Sequence, residues 1–428
     1  MARIAFFSDL MSTLFERRPS APAGASQRPV TELCEALLSS QGEVSGVRLA
    51  RDILSHYRAM PAENRRAFFD YLAQSLDLDP NAVIEAAKRY GETHAPGDLA
   101  RLSREAEPRR QELFRRLNQA PGATETLVRM RLDLLRLLPE APGLGVIDTD
   151  FQHLFASWFN RGFLVLRHID WRTPANILEK IIEYEAVHAI NDWHDLQRRL
   201  RPEDRRCFAF FHPAMPEEPL IFVEVALCKG IPGSVQSLLA EERELETGFD
   251  TAVFYSISNC QEGLRGISFG NSLIKQVVEE VKRDLPQITC FVTLSPIPGL
   301  ARWLKDQSNP EAATLLAAND PAALHPLAED LRRLTAEYLL NAKRPDGLPA
   351  DPVARFHLGN GAILHQVHAL ADVSANGLRQ SRTAMVNYLY DPEKVEQNNE
   401  SFVTRRKVAA SKQVQALIVP RNTTGRKK

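Results

Sequence analysis

The stretch from Phe254 to Gly299, FYSISNCQEGLRGISFGNSLIKQVVEEVKRDLPQITCFVTLSPIPG, decides the fold. It passes from an apolar β-rich run through a glycine-rich turn into an amphipathic helix, and then into a second β-rich run. Glycines 263, 266 and 270 let the backbone bend tightly and approach a ligand, and Asn271 is a suitable N-cap for SLIKQVVEEVKRDL. A helix begun that way aims unpaired N–H groups and the positive end of its dipole at an anion lying before it. Arg265 beside Gly266 favours a pyrophosphate, although a purely structural turn fits the glycines equally well. The turn is neither a dinucleotide fingerprint nor a P-loop, since the glycine spacing and the Gly-Lys-Ser/Thr ending are missing. Downstream, Pro296 holds Ser295 extended, and Pro298 and Gly299 complete a rigid loop. No G-x-S-x-G surrounds Ser295, so acyl-enzyme chemistry is disfavoured.

Working outward, 428 residues with 44% hydrophobic and 25% charged content suffice for two or three domains. A net charge of −1 gives no global attraction to nucleic acid or to a membrane surface. The five cysteines, at 34, 207, 228, 260 and 290, have no paired spacing, which favours reduced thiols, a cytoplasmic protein and no zinc site. Residues 1–18, MARIAFFSDLMSTLFERR, read as an amphipathic helix rather than a secretory signal. No run approaches the roughly 20 apolar residues of a membrane span.

Up to about residue 145, apolar residues recur at three- and four-residue spacing in VTELCEALLSS, VSGVRLARDILSHYRAM, AENRRAFFDYLAQSL, NAVIEAAKRYGE, REAEPRRQELFRRLNQ and ETLVRMRLDLLRLL. This predicts an all-helical bundle whose apolar faces suit self-association. The arginines between 101 and 136 are interleaved with Glu105, Glu107 and Glu112 and read as a solvated, salt-bridged surface. APGLGVIDTD, 141–150, reads as a linker. Beyond it, strand-like runs at 163–169, 206–212, 220–228, 251–258, 288–295, 355–358 and 387–390 alternate with helical stretches, predicting a mixed α/β layer. The expected division is a helical bundle over 1–155 and an α/β domain over 156–428.

Two further candidates lie late in the chain. His357, in RFHLGNG, sits at the end of a strand-like run, and a lone histidine there is also compatible with a structural role. His365 and His368 have a ligand-like spacing but no acidic or cysteine partner nearby, so no metal is expected.

Four motifs, HPAMPEEPLIFVEVAL, FYSISNCQEGLRGISFGNSLIKQVV, TLSPIPGLARWL and FHLGNGAILHQVHALADVSANGLRQS, follow an all-helical region in this order and closely resemble the malonyl-CoA decarboxylase family. The resemblance covers most of residues 155–415 and is mainly architectural before residue 150. It implies an α+β two-domain protein: an N-terminal helical bundle serving oligomerisation, then a GNAT-like catalytic domain of the acyl-CoA N-acyltransferase type. It implies decarboxylation of malonyl-CoA to acetyl-CoA and CO2; an enolate delocalised into the thioester requires no metal or organic cofactor, and the bundle's apolar faces suit a homo-oligomer, dimer or tetramer. By position, the family's catalytic serine falls on Ser295 and its catalytic histidine on His357. The substrate-binding segment falls on Arg265, Gly266, Ile267, Ser268, Phe269, Gly270 and Asn271. On this basis His357, titrating near neutrality, protonates the enolate and Ser295 assists. An acyl-CoA N-acyltransferase using the same cradle is the alternative, and a helical scaffold with a CoA-sensing domain is a third reading.

Overall fold

A computed structural model of the chain describes residues 28–39, 42–240, 248–267, 269 and 273–418. The expected first helix, residues 1–18, lies outside the described residues. The chain forms two units: residues 1–158 together with 263–267, and residues 159–262 together with 268–428.

The first unit is helical, from Val30–Ser39 through Glu43–Ala59, Ala62–Ser75, Pro80–Thr93, Pro96–Glu105, Arg109–Leu117 and Ala123–Leu137 to Gly145–Trp158. Pro108 divides the segment REAEPRRQELFRRLNQ into two helices, because its ring cannot continue the first helix and suits the start of the second. The segment read as a linker, 141–150, is instead a short 3₁₀ turn, Pro142–Leu144, running into the last helix. Its proline and glycines signalled a break, but Ile147, Phe151, Leu154 and Phe155 keep helical spacing and are buried. Phe151 stacks on Phe114 with ring centroids 4.3 Å apart.

The arginine-rich surface is partly as expected: Arg115 and Arg116 pair with Glu112, and Arg101 lies 3.5 Å from Glu85. Arg110 and Arg131 depart from it. Both are buried, Arg110 against Asp77 and Asp150, and Arg131 against Asp148 at 2.7 Å. Arg131 also donates to the carbonyl of Gly263 at 2.8 Å, so the 263–267 loop is packed inside this unit. A methyl group on Gly263 would overlap the carbonyl of Val128, which is why glycine is required there.

The second unit is built on a sheet of β1 (Val165–Ile169), β2 (Arg205–His212), β3 (Met215–Cys228), β4 (Thr251–Asn259), β5 (Cys290–Thr293), β6 (Ser295–Pro296), β7 (Ile363–His368) and β8 (Met385–Leu389). The order is β1-β2-β3-β4-β5-β8-β6, with β7 also paired to β8. Only β4 and β5 run parallel; the other pairs are antiparallel. One face packs Phe208, Phe210, Val223, Val225 and Phe254 against helices Leu273–Asp284 and Ala328–Asn341. The other face packs Cys207, Ala209, Phe211 and Phe222 against helices Ala175–Tyr184 and Trp193–Leu200. β3 is therefore covered on both sides, as its apolar run IFVEVAL, interrupted by Glu224, requires; the Glu224 carboxylate is buried against Arg199 at 2.9 Å. The chain is an α+β protein, with a helical bundle followed by a mixed sheet that carries helices on both faces.

Two strand assignments change. RFHL, 355–358, is part of the helix Pro352–Gly359, started by Asp351 accepting the N–H groups of Val353 and Ala354, with Pro352 in the first turn. ILHQVH, unassigned from sequence, is strand β7.

Buried pairs and surface pairs in the helical unit should respond differently to mutation. Arg131→Ala strands Asp148 in the core and should lower unfolding free energy by about 3–5 kcal/mol. Arg129→Ala, which removes an exposed pair with Glu125, should change it by less than about 1 kcal/mol. Urea unfolding of the two variants beside the parent measures the contrast.

Candidate active site

β4 and β5 are in register from Thr251 opposite Cys290 to Phe254 opposite Thr293, and Leu294 N–H adds one more bond to the Phe254 carbonyl. The next residues of that chain, Ser295 and Pro296, pair with Val386 and Met385 of β8 instead. β4 continues to Asn259 beside β3 alone, with an extra residue, Tyr255, where Glu224 pairs with Ser256 and Val225 with Phe254. The two strands thus part after Phe254, and a cavity of about 260 Å³ opens between them. It is lined by Phe254, Tyr255, Ile257 and Asn259 from β4, by Ser295 and Pro296, and by Phe356 and His357.

Ser295 and His357, separated by 62 residues in the chain, meet in this cavity with Ser295 Oγ 3.1 Å from His357 Nε2. Ser295 is held by its β8 pairing and donates to Thr293 Oγ1 at 2.8 Å. His357 lies on the last turn of its helix, with Nδ1 2.8 Å from the Tyr390 hydroxyl and its ring stacked on Tyr388 at 4.6 Å. Asp351 ties the two frames together. It caps the histidine's helix, and its second carboxylate oxygen accepts the N–H of Gly299, the last residue of the S-P-I-P-G loop, at 3.3 Å. Gly299 must be glycine, because a methyl there would overlap the Tyr338 hydroxyl.

Burial pushes the His357 imidazole down to about 3, with no charged neighbour contributing. In the empty cavity the histidine is therefore neutral, not poised near neutrality as expected. Burial also pushes the Tyr390 phenol well above its ordinary range, so it stays protonated beside the ring.

The expected substrate-binding segment is less completely placed. Arg265 is exposed and makes no ion pair or hydrogen bond among the described residues; Gly266 turns in the left-handed region with φ of +82°. Ile267 is buried, and all three belong to the 263–267 loop of the helical unit. Phe269 packs against the sheet's core, and Ser268, Gly270 and Asn271 lie outside the described residues. Lys275, on the following helix, pairs with Glu396 at 3.3 Å. His368 bonds Asn387 from strand β7, and His365, three residues away, lies where the register of β7 against β8 shifts. Among the described residues no group of three His, Cys, Asp or Glu is placed to hold a metal. Sequence reading missed Thr293, Asp351 and Tyr390. Only Asp351-Pro352 carried a local signal, that of a helix start.

The order of these parts matches a known family along nearly its whole length. Residues 162–428 match the family model described as the malonyl-CoA decarboxylase C-terminal domain, and residues 76–159 the malonyl-CoA decarboxylase N-terminal domain. The chain belongs to the malonyl-CoA decarboxylase family. Among its relatives, the mitochondrial malonyl-CoA decarboxylase of Anser anser anser is 34% identical, covering 87% of this chain and 83% of that protein. The mouse (Mus musculus) enzyme of the same name is 32% identical, covering 86% and 84%. The crystal structure of malonyl-CoA decarboxylase from Rhodopseudomonas palustris is 50% identical with a TM-score of 0.82, covering 91% of this chain and 98% of that one. That from Agrobacterium vitis is 49% identical with a TM-score of 0.86, covering 91% and 100%. Within the part of the chain that matches the family's C-terminal domain, the buried side chains of Ser295 and His357 lie 3.1 Å apart.

The depressed histidine makes a stability prediction. The unfolded chain binds a proton at His357 near pH 6.5, whereas the folded chain refuses it until about pH 3, so stability is lost as pH falls between those values. At pH 4.5 this one group should cost about 2–3 kcal/mol relative to pH 7.5. Urea unfolding at both pH values should show a smaller acid loss in His357→Gln than in the parent; equal losses would remove the histidine as the cause.

Proposed function

We propose that this protein decarboxylates malonyl-CoA to acetyl-CoA and CO2, with His357 as the source of the proton and Ser295 as its partner at the reacting carbon. The observation that carries the reading is the hydrogen-bonded Ser295–His357 pair inside an otherwise apolar cavity at the parting of two parallel strands. Loss of CO2 from a malonyl thioester leaves an electron pair that spreads from C2 into the thioester as an enolate. A cavity walled by Ile221, Phe254, Ile257 and Phe356 favours that spread charge over a localised carboxylate. The reaction then needs hydrogen-bond donors for the developing charge and a proton for C2.

The buried histidine acquires its proton through the substrate. A malonyl carboxylate about 4 Å from the ring, at an effective dielectric of about 20, favours imidazolium by roughly 4 kcal/mol. That is about three pH units of affinity, enough to lift His357 from about 3 to roughly 6 in the complex. Binding thus charges the acid, and departure of CO2 shifts the negative charge onto the enolate, which the proton then neutralises at C2. The Arg265 to Asn271 segment supplies the CoA phosphate contacts in this scheme, supported by the exposed, unengaged Arg265 beside a left-handed glycine.

No helix among the described residues is long and apolar enough to cross a membrane. Cytoplasmic placement is supported by five free cysteines, and the bundle's apolar faces support a homodimer or homotetramer through the helical unit.

Incubating purified protein with malonyl-CoA, without metal, cofactor or amine, should release acetyl-CoA and CO2. Acyl transfer that occurs only when an amine is added would establish the N-acyltransferase alternative. Ser295→Ala and His357→Ala should each lower kcat by about 10²-fold or more. Arg265→Ala should raise KM and leave kcat near the parent value. Because the protonated histidine is the active form in the complex, kcat should fall as pH rises above roughly 6. A kcat that climbs through that range would mean the histidine acts as a base.

A further inference from the structure

Thr293 stands directly behind Ser295 and is fully buried. Its hydroxyl oxygen accepts the Tyr388 N–H at 3.1 Å and the Ser295 hydroxyl at 2.8 Å. Its carbonyl accepts from Asn387 Nδ2 at 2.8 Å, and Asn387, also fully buried, is held by His368 and by the Pro232 carbonyl. The oxygen facing Ser295 is therefore fixed from two sides and cannot turn away.

We propose that Thr293 is a positioning residue that sets the direction of the hydrogen bonds through Ser295, so that the serine accepts from His357 and passes its own hydroxyl proton to the substrate carbon. The inference rests on the decarboxylase reading. A protonated imidazole donates from both nitrogens, here to the Tyr390 oxygen and to Ser295 Oγ. The serine O–H must then find an acceptor elsewhere, and before reaction the Thr293 oxygen is the acceptor within reach. When the bond from C2 to the carboxyl carbon breaks, CO2 leaves and its electron pair stays on the enolate. C2 takes the Ser295 proton, Ser295 takes the Nε2 proton, and the imidazole is left neutral with its nitrogen lone pair restored. A water proton recharges it in the next turnover. Without the Thr293 hydroxyl, the serine proton has only the His357 Nε2 lone pair to turn to, which requires a neutral ring and reverses the chain.

The surroundings of His357 leave this role open to no other group. Tyr388 and Tyr390 from the β8 side, Ser295 from β6 and Phe356 on its own helix pack against the ring. No carboxylate or cation acts on its ionisation. Asp351, the acid of its own helix, is occupied by the N–H groups of Val353, Ala354 and Gly299.

The test compares Thr293→Val and Thr293→Ser with the parent full-length protein on malonyl-CoA. Thr293→Ser keeps the hydroxyl and should retain kcat within about threefold, whereas Thr293→Val should lower kcat about tenfold or more with KM within about twofold. In Thr293→Val the fall of kcat with rising pH should also move to lower pH, because the protonated ring has lost its outlet. Valine strands the Tyr388 N–H, so the parent itself supplies a second measurement: kcat in H2O/D2O mixtures should bow as two protons moving together require. Parent-like kcat and pH profile in Thr293→Val, or a linear or absent isotope dependence in the parent, would overturn the proposal. A parent that yields no acetyl-CoA overturns the decarboxylase reading instead.

Discussion

β4 and β5 are hydrogen-bonded from Thr251 and Cys290 as far as Phe254 and Leu294, and there the ladder stops: the next residues, Ser295 and Pro296, pair with β8 and not with β4. Pro296 has no N–H to offer β4, so the switch is not reversible by a small shift of register. The sheet stays continuous through β8, while the far half of β4 is left with one edge unpaired and facing open space. That one separation creates the cavity, places Tyr255 and Ile257 along its wall, and delivers Ser295 to its rim.

The histidine arrives by a different route. Its helix is aimed by Asp351, and the same carboxylate holds the loop that follows the serine, so a single buried acid ties the frames of Ser295 and His357 together. Burial makes the arrangement electrically quiet when empty. A site that carries no charge of its own binds an anion without a resident counter-ion to screen it, so the substrate's own carboxylate becomes the strongest field in the cavity.

Much of this architecture could be read locally. The apolar runs that became β2, β3, β4 and β5 were bounded by turn residues, and the helices of the first unit announced themselves by spacing. The glycine turn and the proline-framed serine were visible as features of backbone chemistry, while their pairing with His357 came from family resemblance. Errors fell where a short window gives two answers. RFHL is apolar enough for a strand, and only the Asp-Pro preceding it reveals the helix. The linker reading of 141–150 weighed its proline and glycines and overlooked the periodic apolar residues after them. Tyr390 and Asn387 had no signal at all, and Thr293 none beyond its place two residues before Ser295, because Tyr388 and Asn387 reach Thr293, and Tyr390 reaches His357, from far along the chain.

The Gly263–Ile267 loop has a consequence for how the protein can be divided. It is inserted from the midst of the sheet sequence, yet it packs with the helical unit, pinned by the Arg131 guanidinium and by a glycine pressed on Val128. The helical unit is therefore not a contiguous piece of the gene. A fragment ending at Trp158 lacks one of its own parts, and a fragment beginning at Phe159 carries a loop whose packing partner has been discarded. Arg265 and Gly266 sit on that loop, so truncating the helices would also release the backbone that holds their turn. Folding of the two stretches is coupled in order as well as in place: the helices can form early in synthesis, but their unit is complete only after residue 267 has emerged.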